Sequence, residues 1–210
     1  MNPSSFFKVL LLALSFISFN ASASYEDAKA LVAKTTQEML GLVSNKELRQ
    51  PENIDQLIDG IDNVVGSFVD FQYIGNSVMG KYYRRASDSE IESFAGVLKT
   101  TLLRTFSKAI VGFEFQSFEV VDPAEASPEE DKQIVSVNMT STNGTVYSVV
   151  YYLVLKEGQW TLVNVVVDGI NLRITFRNQF ASLMERFGKI SVVIDQWAAA
   201  MSDSSTKAGA

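Results

Sequence analysis

The sequence has no cysteine and no histidine in its 210 residues. That leaves no thiolate nucleophile, no Ser-His-Asp triad and no ordinary zinc or copper site, because the sulfur and imidazole donors of that chemistry are missing. No disulfide can staple the fold, so its stability has to come from packing. The formal net charge is −6. Lys and Arg are spread thinly apart from Lys81, Arg84 and Arg85, which argues against nucleic acid as a partner. No metal and no cofactor are expected.

Long hydrophobic runs are also scarce. Residues 9–19 form one, about half the ~20 residues that a membrane span needs. Lys8 precedes it and Ala21-Ser22-Ala23, a small-x-small cleavage site, follows it. Residues 1–23 are therefore expected to be a secretory signal peptide, with a mature chain beginning at Ser24 and free in its compartment. Residues 24–201 are long enough for one domain with a sizeable core. Residues 202–210 are small and polar and are expected to be a disordered tail.

What the chain does have is periodicity. Ala28, Leu31, Val32, Thr35, Met39 and Leu42 recur at helical spacing over 25–44. Pro51 stands near the first turn of a second helix, whose stripe runs from Ile54 to Val65. A short helix holds Ile74, Val78 and Met79. Ser87 and Glu90 have the spacing of a capping box and open a helix that reaches about residue 110. The character then turns β-branched and aromatic. Residues 113–121, 133–141, 146–156 and 160–167 read as four strands of a meander, with hairpin turns at Asn143-Gly144 and Glu157-Gly158. Helical spacing returns over 172–186 and 190–201, on either side of Gly188. The fold class is α+β, with several helices packed on a curved, mostly antiparallel four-stranded sheet.

One pattern needs explaining. A sheet covered on one face alternates between apolar and polar residues. Residues 146–155 are apolar on both faces, and 160–167 behave similarly. Either both faces are covered or one lines a cavity, and the pattern alone does not separate a side chain from a ligand as the filler.

Several motifs carry possible chemistry. Gly75 to Lys81 nearly matches the phosphate-binding loop G-x-x-x-x-G-K-[ST], but Tyr82 stands where the short metal-binding hydroxyl belongs, so nucleotide binding is not expected. Asp70, Asp168 and Asp195 lie near apolar sequence and could serve as acid–base groups, or as helix caps and turn residues. Glu125, Glu129, Glu130 and Asp131 form an acidic loop, either solvated or a weak cation site. Lys81, Arg84 and Arg85 beside Tyr82 and Tyr83 could meet a phosphate at an apolar cleft, or form a solvated helix end.

Four segments in one order carry a family resemblance. They are Phe68-Val69-Asp70-Phe71 with Ile74 and the run from Val78 to Ser87, then Phe94, Leu98, Leu102 and Phe106, then Trp160 to Leu172, and last Phe176-Arg177-Asn178-Gln179-Phe180. Together they resemble the MlaC (toluene-tolerance auxiliary) family. Tyr83, Asn164, Asp168 and Asn171 depart from the usual Trp, Asp, Glu and Ser. The resemblance implies a fold loosely like the nuclear-transport-factor cone and a deep apolar pocket for phospholipid tails, with the headgroup near water. It implies a monomeric periplasmic phospholipid carrier with no catalytic site. Such a carrier would shuttle between an outer-membrane lipoprotein–porin complex and an inner-membrane transporter with MCE-type subunits, in the service of outer-membrane lipid asymmetry.

Two long acyl chains represent on the order of 20 kcal/mol of transfer free energy, so moving them through water calls for a dry cavity near or above ~1,000 Å³. The candidate lining is Phe71, Ile74, Val78, Tyr82, Phe94, Val97, Leu98, Val137, Met139, Val149, Tyr151, Val165, Val167, Leu172 and Phe176, with the choice of strand face left open. Arg84, Arg85 and Arg177 are the headgroup candidates. The competing readings are a secreted carboxylate-dependent hydrolase with an apolar substrate pocket and a structural interaction module with a filled core.

Overall fold

The computed structural model describes residues 24–125 and 127–208, so the expected signal peptide lies outside the described residues. These residues form helix α1 (Tyr25–Ser44), a 3₁₀ turn (Pro51–Asn53), α2 (Ile54–Val65), α3 (Phe71–Met79), a second 3₁₀ segment (Gly80–Arg85) and α4 (Asp88–Val111). Strands β1 (Phe115–Val121), β2 (Lys132–Ser141), β3 (Val146–Lys156), β4 (Gln159–Val167) and β5 (Ile170–Asn171) follow, and then α5 (Leu172–Phe187) and α6 (Ile190–Ala208).

Local chemistry sets the helix starts. Ser24 and Asp27 cap α1 reciprocally. Ser87 and Glu90 do the same for α4, with Ser87 N–H donating to Glu90 Oε2 at 2.9 Å and Glu90 N–H to Ser87 Oγ at 3.2 Å. Asp70 and Asn171 accept the first free amides of α3 and α5, from Tyr73 at 2.7 Å and Ile174 at 3.1 Å. Helix α5 stops at Gly188, whose φ of 72° suits a residue without Cβ. Helix α6 differs from the sequence expectation. It continues through residues 202–208, which had read as a disordered tail, because no Gly or Pro occurs before Gly209 to break it.

The five strands form one antiparallel meander in the order β1-β2-β3-β4-β5. The sequence reading had four strands. At two residues β5 is too short to leave a pattern, and it turns back on β4 through Asp168 and Gly169, both at positive φ. The free side of β4 also binds the α2–α3 connection. Leu162 N–H donates to Phe68 O at 2.7 Å, and Asp70 N–H to Leu162 O at 3.1 Å. The start of α3 is thereby fixed to the sheet edge.

The apolar side chains fall into separate clusters. One joins α3, α4, α5 and α6 around Val78, Phe94, Leu98, Phe180, Val193 and Trp197, each fully buried. A second joins α1 to the sheet through Ala28, Val32, Phe68, Val135, Val137, Leu153, Trp160 and Leu162. A smaller one holds α2 against α1 and α4 around Leu57, Ile61 and Leu103.

Candidate functional site: the sheet face beneath α1

Strand register settles which face is which. Val120, Val137, Val149 and Val167 pair in a continuous row across four strands. Val135, Tyr151 and Val165 form the row on one side, and Phe118, Met139 and Tyr147 the row on the other. Residues opposite each other across a ladder share a face, so all six strand positions named from the sequence point to one side. A bulge at Val163, between the Tyr152–Asn164 and Leu153–Leu162 pairs, keeps Leu162 and Trp160 in register with the apolar residues of β3.

Helix α1 roofs this face. Ala28 and Val32 are fully buried against it, flanked by half-buried Tyr25 and Leu31. Thr35 and Thr36 are also buried. The Tyr151 hydroxyl, in the middle of the sheet, is hydrogen-bonded to the Thr36 side chain, and burial pushes its pKa above the ordinary tyrosine value. At its first turn, α1 is held to the end of β1 by an ion pair between Lys29 and Asp122, which the Tyr25 hydroxyl also reaches at 3.5 Å.

Two clefts open beside α1. One, of about 590 Å³, lies between α1, α2 and the start of β4, and is lined by Leu31, Thr35, Phe68 and Trp160 with a polar rim. The other, of about 440 Å³, lies between the C-terminal half of α1 and β1, and is lined by Leu40, Gly41, Phe115 and Phe118 among polar neighbours.

The structure divides the fifteen candidate lining residues. Val137, Met139, Tyr151 and Val165 belong to the α1–sheet cluster, and Val149 and Val167 share that face by register. Ile74, Val78, Tyr82, Phe94, Val97, Leu98, Leu172 and Phe176 instead belong to the helical cluster, where aromatic rings interlock. Phe71 stands apart, half-buried, with the Lys99 ammonium 5.8 Å from its ring. Neither cleft is lined by any of the fifteen. Sequence reasoning missed Leu31, Thr35, Phe68, Phe118 and Trp160. The α1 stripe and the strand pattern contained them, but only register and helix placement bring them together.

The charged candidates have structural partners or lie on the surface. Arg84 and Arg85 are exposed at the end of the 3₁₀ segment, and the Arg85 guanidinium sits 5.5 Å from the Tyr82 ring centroid. Arg177 Nε donates to Ser77 O at 3.0 Å. None of the three lines either cleft. Asp70 caps α3 and pairs with Lys156. Asp168 accepts Ser148 N–H at 2.8 Å, and Asp195 is exposed. The near-match to a phosphate loop is folded into α3 and the 3₁₀ segment after it, so its amides follow helical geometry and do not form a cradle. No group of acidic residues suited to a metal occurs among the described residues.

Fold and site together define a small α+β domain with an apolar sheet face under a single helix, open on both flanks. The family described as MlaC protein matches residues 33–199, and the chain belongs to it. It is 34% identical over 193 residues to toluene tolerance protein ttg2D of Pseudomonas putida, covering 90% of this chain and 86% of that one. It is 21% identical over 132 residues to the intermembrane phospholipid transport system binding protein MlaC of Haemophilus influenzae, covering 61% and 60%. Among solved structures, it superposes on a phospholipid-binding protein from Ralstonia solanacearum, determined in complex with a phospholipid. The TM-score is 0.71 at 20% identity, over 83% of this chain and 98% of that one.

Proposed function

We propose that this protein is a periplasmic phospholipid carrier, holding acyl chains between α1 and the sheet. One observation carries the reading: an apolar face continuous across four strands is closed mainly by one helix and opens in clefts on both sides. Family membership and the named relatives support it. Neither cleft alone reaches the ~1,000 Å³ that two acyl chains call for, so loading requires α1 to rise from the sheet. That motion gives up the contacts of Ala28 and Val32, and the lipid tails replace them with apolar contact of their own.

The carrier passes lipid between an outer-membrane lipoprotein–porin complex and an inner-membrane transporter with MCE-type subunits, and so serves outer-membrane lipid asymmetry. Binding and release need no catalytic group, and Asp70 and Asp168 are committed to structure. Export rests on the signal peptide read in residues 1–23. No helix among the described residues is long and apolar enough to cross a membrane. The test is native mass spectrometry of the mature chain purified without detergent, followed by lipid extraction. One phospholipid per chain is expected. Protein that purifies empty and stays empty after incubation with phospholipid vesicles overturns the reading.

A further inference from the structure

One buried polar group beside the sheet face has no partner. Trp160 is 6% exposed, and its indole Nε1 is buried with no acceptor among the described residues. An indole N–H can only donate, and a buried donor left unmet is costly, so native proteins supply it with an acceptor. Trp160 lines the α2-side cleft together with Leu31 and Phe68. The residues that line the β1-side cleft include no such orphaned group.

The place of Trp160 on the sheet gives a ligand its direction. Trp160 pairs with Leu155 near the β3–β4 turn, at one end of the apolar face. Val165 and Val167 follow it along β4 on the same side. From Trp160 to Val167 the strand runs about 20 Å. Helix α1 contributes Leu31 and Thr35 to the cleft, so a rise of α1 widens it beside the indole. The rim is polar, with Lys34, Glu38, Asn63, Ser67 and Gln159. Lys34 and Glu38 are exposed and stand 3.9 Å apart. An exposed pair of this kind is weak, which leaves the Lys34 ammonium able to turn to another anion.

A diacyl phospholipid carries the complementary groups in the same order. Its tails are apolar, its ester carbonyls only accept hydrogen bonds, and its phosphate is an anion that stays near water. We propose that the α2-side cleft holds the polar end of the lipid: the Trp160 indole N–H donates to an ester carbonyl, Lys34 meets the phosphate at the rim, and the acyl chains run from there along β3 and β4 under α1. The proposal rests on the carrier reading and adds the orientation of the lipid and the groups that hold it. An uncharged donor suits the dry floor of the cleft, and a cation suits its wet rim.

The test gives delipidated mature protein vesicles of equal parts dioleoyl phosphatidylglycerol and its dialkyl ether analogue, which lacks both carbonyls. Native mass spectrometry reads the ratio of the two lipids bound. Wild type is expected to prefer the ester lipid about threefold to tenfold. Trp160→Phe keeps a ring but loses the N–H, and its ratio is expected to fall to about one. The ratio counts only folded, loaded protein, so a partial loss of stability does not blur it. A second reading uses the indole N–H resonances of the two tryptophans, Trp160 and Trp197. Loading with the ester lipid is expected to shift the Trp160 resonance and to leave that of Trp197, in the helical cluster, in place. Lys34→Gln is expected to keep the ester preference and to retain about half as much lipid as wild type. A wild-type ratio near one, an ester preference that survives in Trp160→Phe, or an unmoved Trp160 resonance overturns the polar end and leaves the carrier reading standing. A Trp160 shift produced by inorganic phosphate or glycerophosphoglycerol alone shows a site for free phosphate and overturns it too. Full lipid retention by Lys34→Gln overturns the phosphate contact. Wild-type protein that binds neither lipid overturns the carrier reading and this inference with it.

Discussion

The helical half and the sheet half of this molecule are built from similar apolar residues but are closed in different ways. In the helical half, Phe94, Phe180 and Trp197 come from three helices and interlock, with ring centroids 4.9, 5.1 and 6.2 Å apart. All three are fully buried. In the sheet half, four strands of valine, methionine and tyrosine are closed mainly by one helix, which offers Ala28, Val32 and two buried threonines beside half-buried Tyr25 and Leu31, with Phe68 of the α2–α3 connection at one edge. Large rings that fill each other's gaps leave nothing for a ligand to replace. A roof carried mainly by one helix, with alanine, valine and threonine at its centre, interlocks less. What separates the two halves is how many elements close each and how well they interlock, more than how apolar they are.

The largest effect that tests this contrast comes from the helical half. Trp197→Ala deletes a fully buried ring from a site that four helices frame, and is expected to cost about 3–5 kcal/mol. Denaturant unfolding checks it, and lipid content should fall only in proportion to the folded fraction. A loss below about 1 kcal/mol would mean that the helical cluster is as yielding as the sheet face.

The next effect is functional. Val149→Trp puts a ring into the middle of the four-valine row. In an ordinary core, overpacking costs about 1–3 kcal/mol. On the carrier reading, in which α1 lifts, the ring occupies acyl-chain space instead. Bound phospholipid is expected to fall by more than half, while lipid-free protein keeps its melting temperature. Val150→Trp, on the opposite face, is expected to leave lipid content unchanged. Parallel loss of stability and lipid in both variants would make this sheet a filled core.

A smaller effect lies where the halves meet. Asp70 caps α3 and pairs with Lys156, next to the backbone bridge that ties this segment to β4. Asp70→Ala is expected to cost about 1–2 kcal/mol and lower the melting temperature by several degrees, with lipid content preserved. Selective loss of lipid would show that the junction transmits α1 motion.

Much of the fold was legible because its signals are local. The two glycine turns, the Ser87–Glu90 capping box and Gly188 each mark an element boundary within a few residues. The candidate site was legible only in part. Val150, Tyr152 and Val154 are apolar on the face away from α1, so alternation could not choose between the faces. Phe94 and Val137 are equally apolar and equally buried, and no periodicity shows that one sits in a helical core and the other under a single roof. Arg177 is a headgroup candidate from the sequence, and its Nε donates to Ser77 O, a partner 100 residues away that spacing does not show. Such distinctions depend on long-range packing, which sequence spacing does not encode.

The smallest expected effect reports on the roof itself. Tyr151 is half-buried beneath α1 with its hydroxyl against Thr36, and desolvation of that hydroxyl holds its pKa above the ordinary value. In the unfolded chain this tyrosine ionises near pH ~10. As pH rises past that point the unfolded state loses the proton first, while the folded state still keeps it. Folding stability therefore drops from about pH 10 upward until the folded-state pKa is passed, and it is unaffected at neutral pH. Tyr151→Phe removes this titration, so its alkaline loss of stability is expected to be shallower than that of wild type. At pH 7 the variant loses one hydrogen bond, about 0.5–1.5 kcal/mol, and leaves the Thr36 hydroxyl without its phenol partner. Denaturant melts at neutral and alkaline pH measure both terms. The same pair of proteins also reads the position of α1 in solution. Ultraviolet titration of wild type minus Tyr151→Phe isolates the Tyr151 phenol from the other tyrosines. In lipid-free protein that phenol should ionise late, because α1 covers it. In loaded protein, with α1 lifted, the Thr36 contact should break and the titration should shift. An ordinary tyrosine pKa in the lipid-free state would mean that α1 does not rest on the sheet, and the contrast between a fixed core and a roofed face would then be one of degree only.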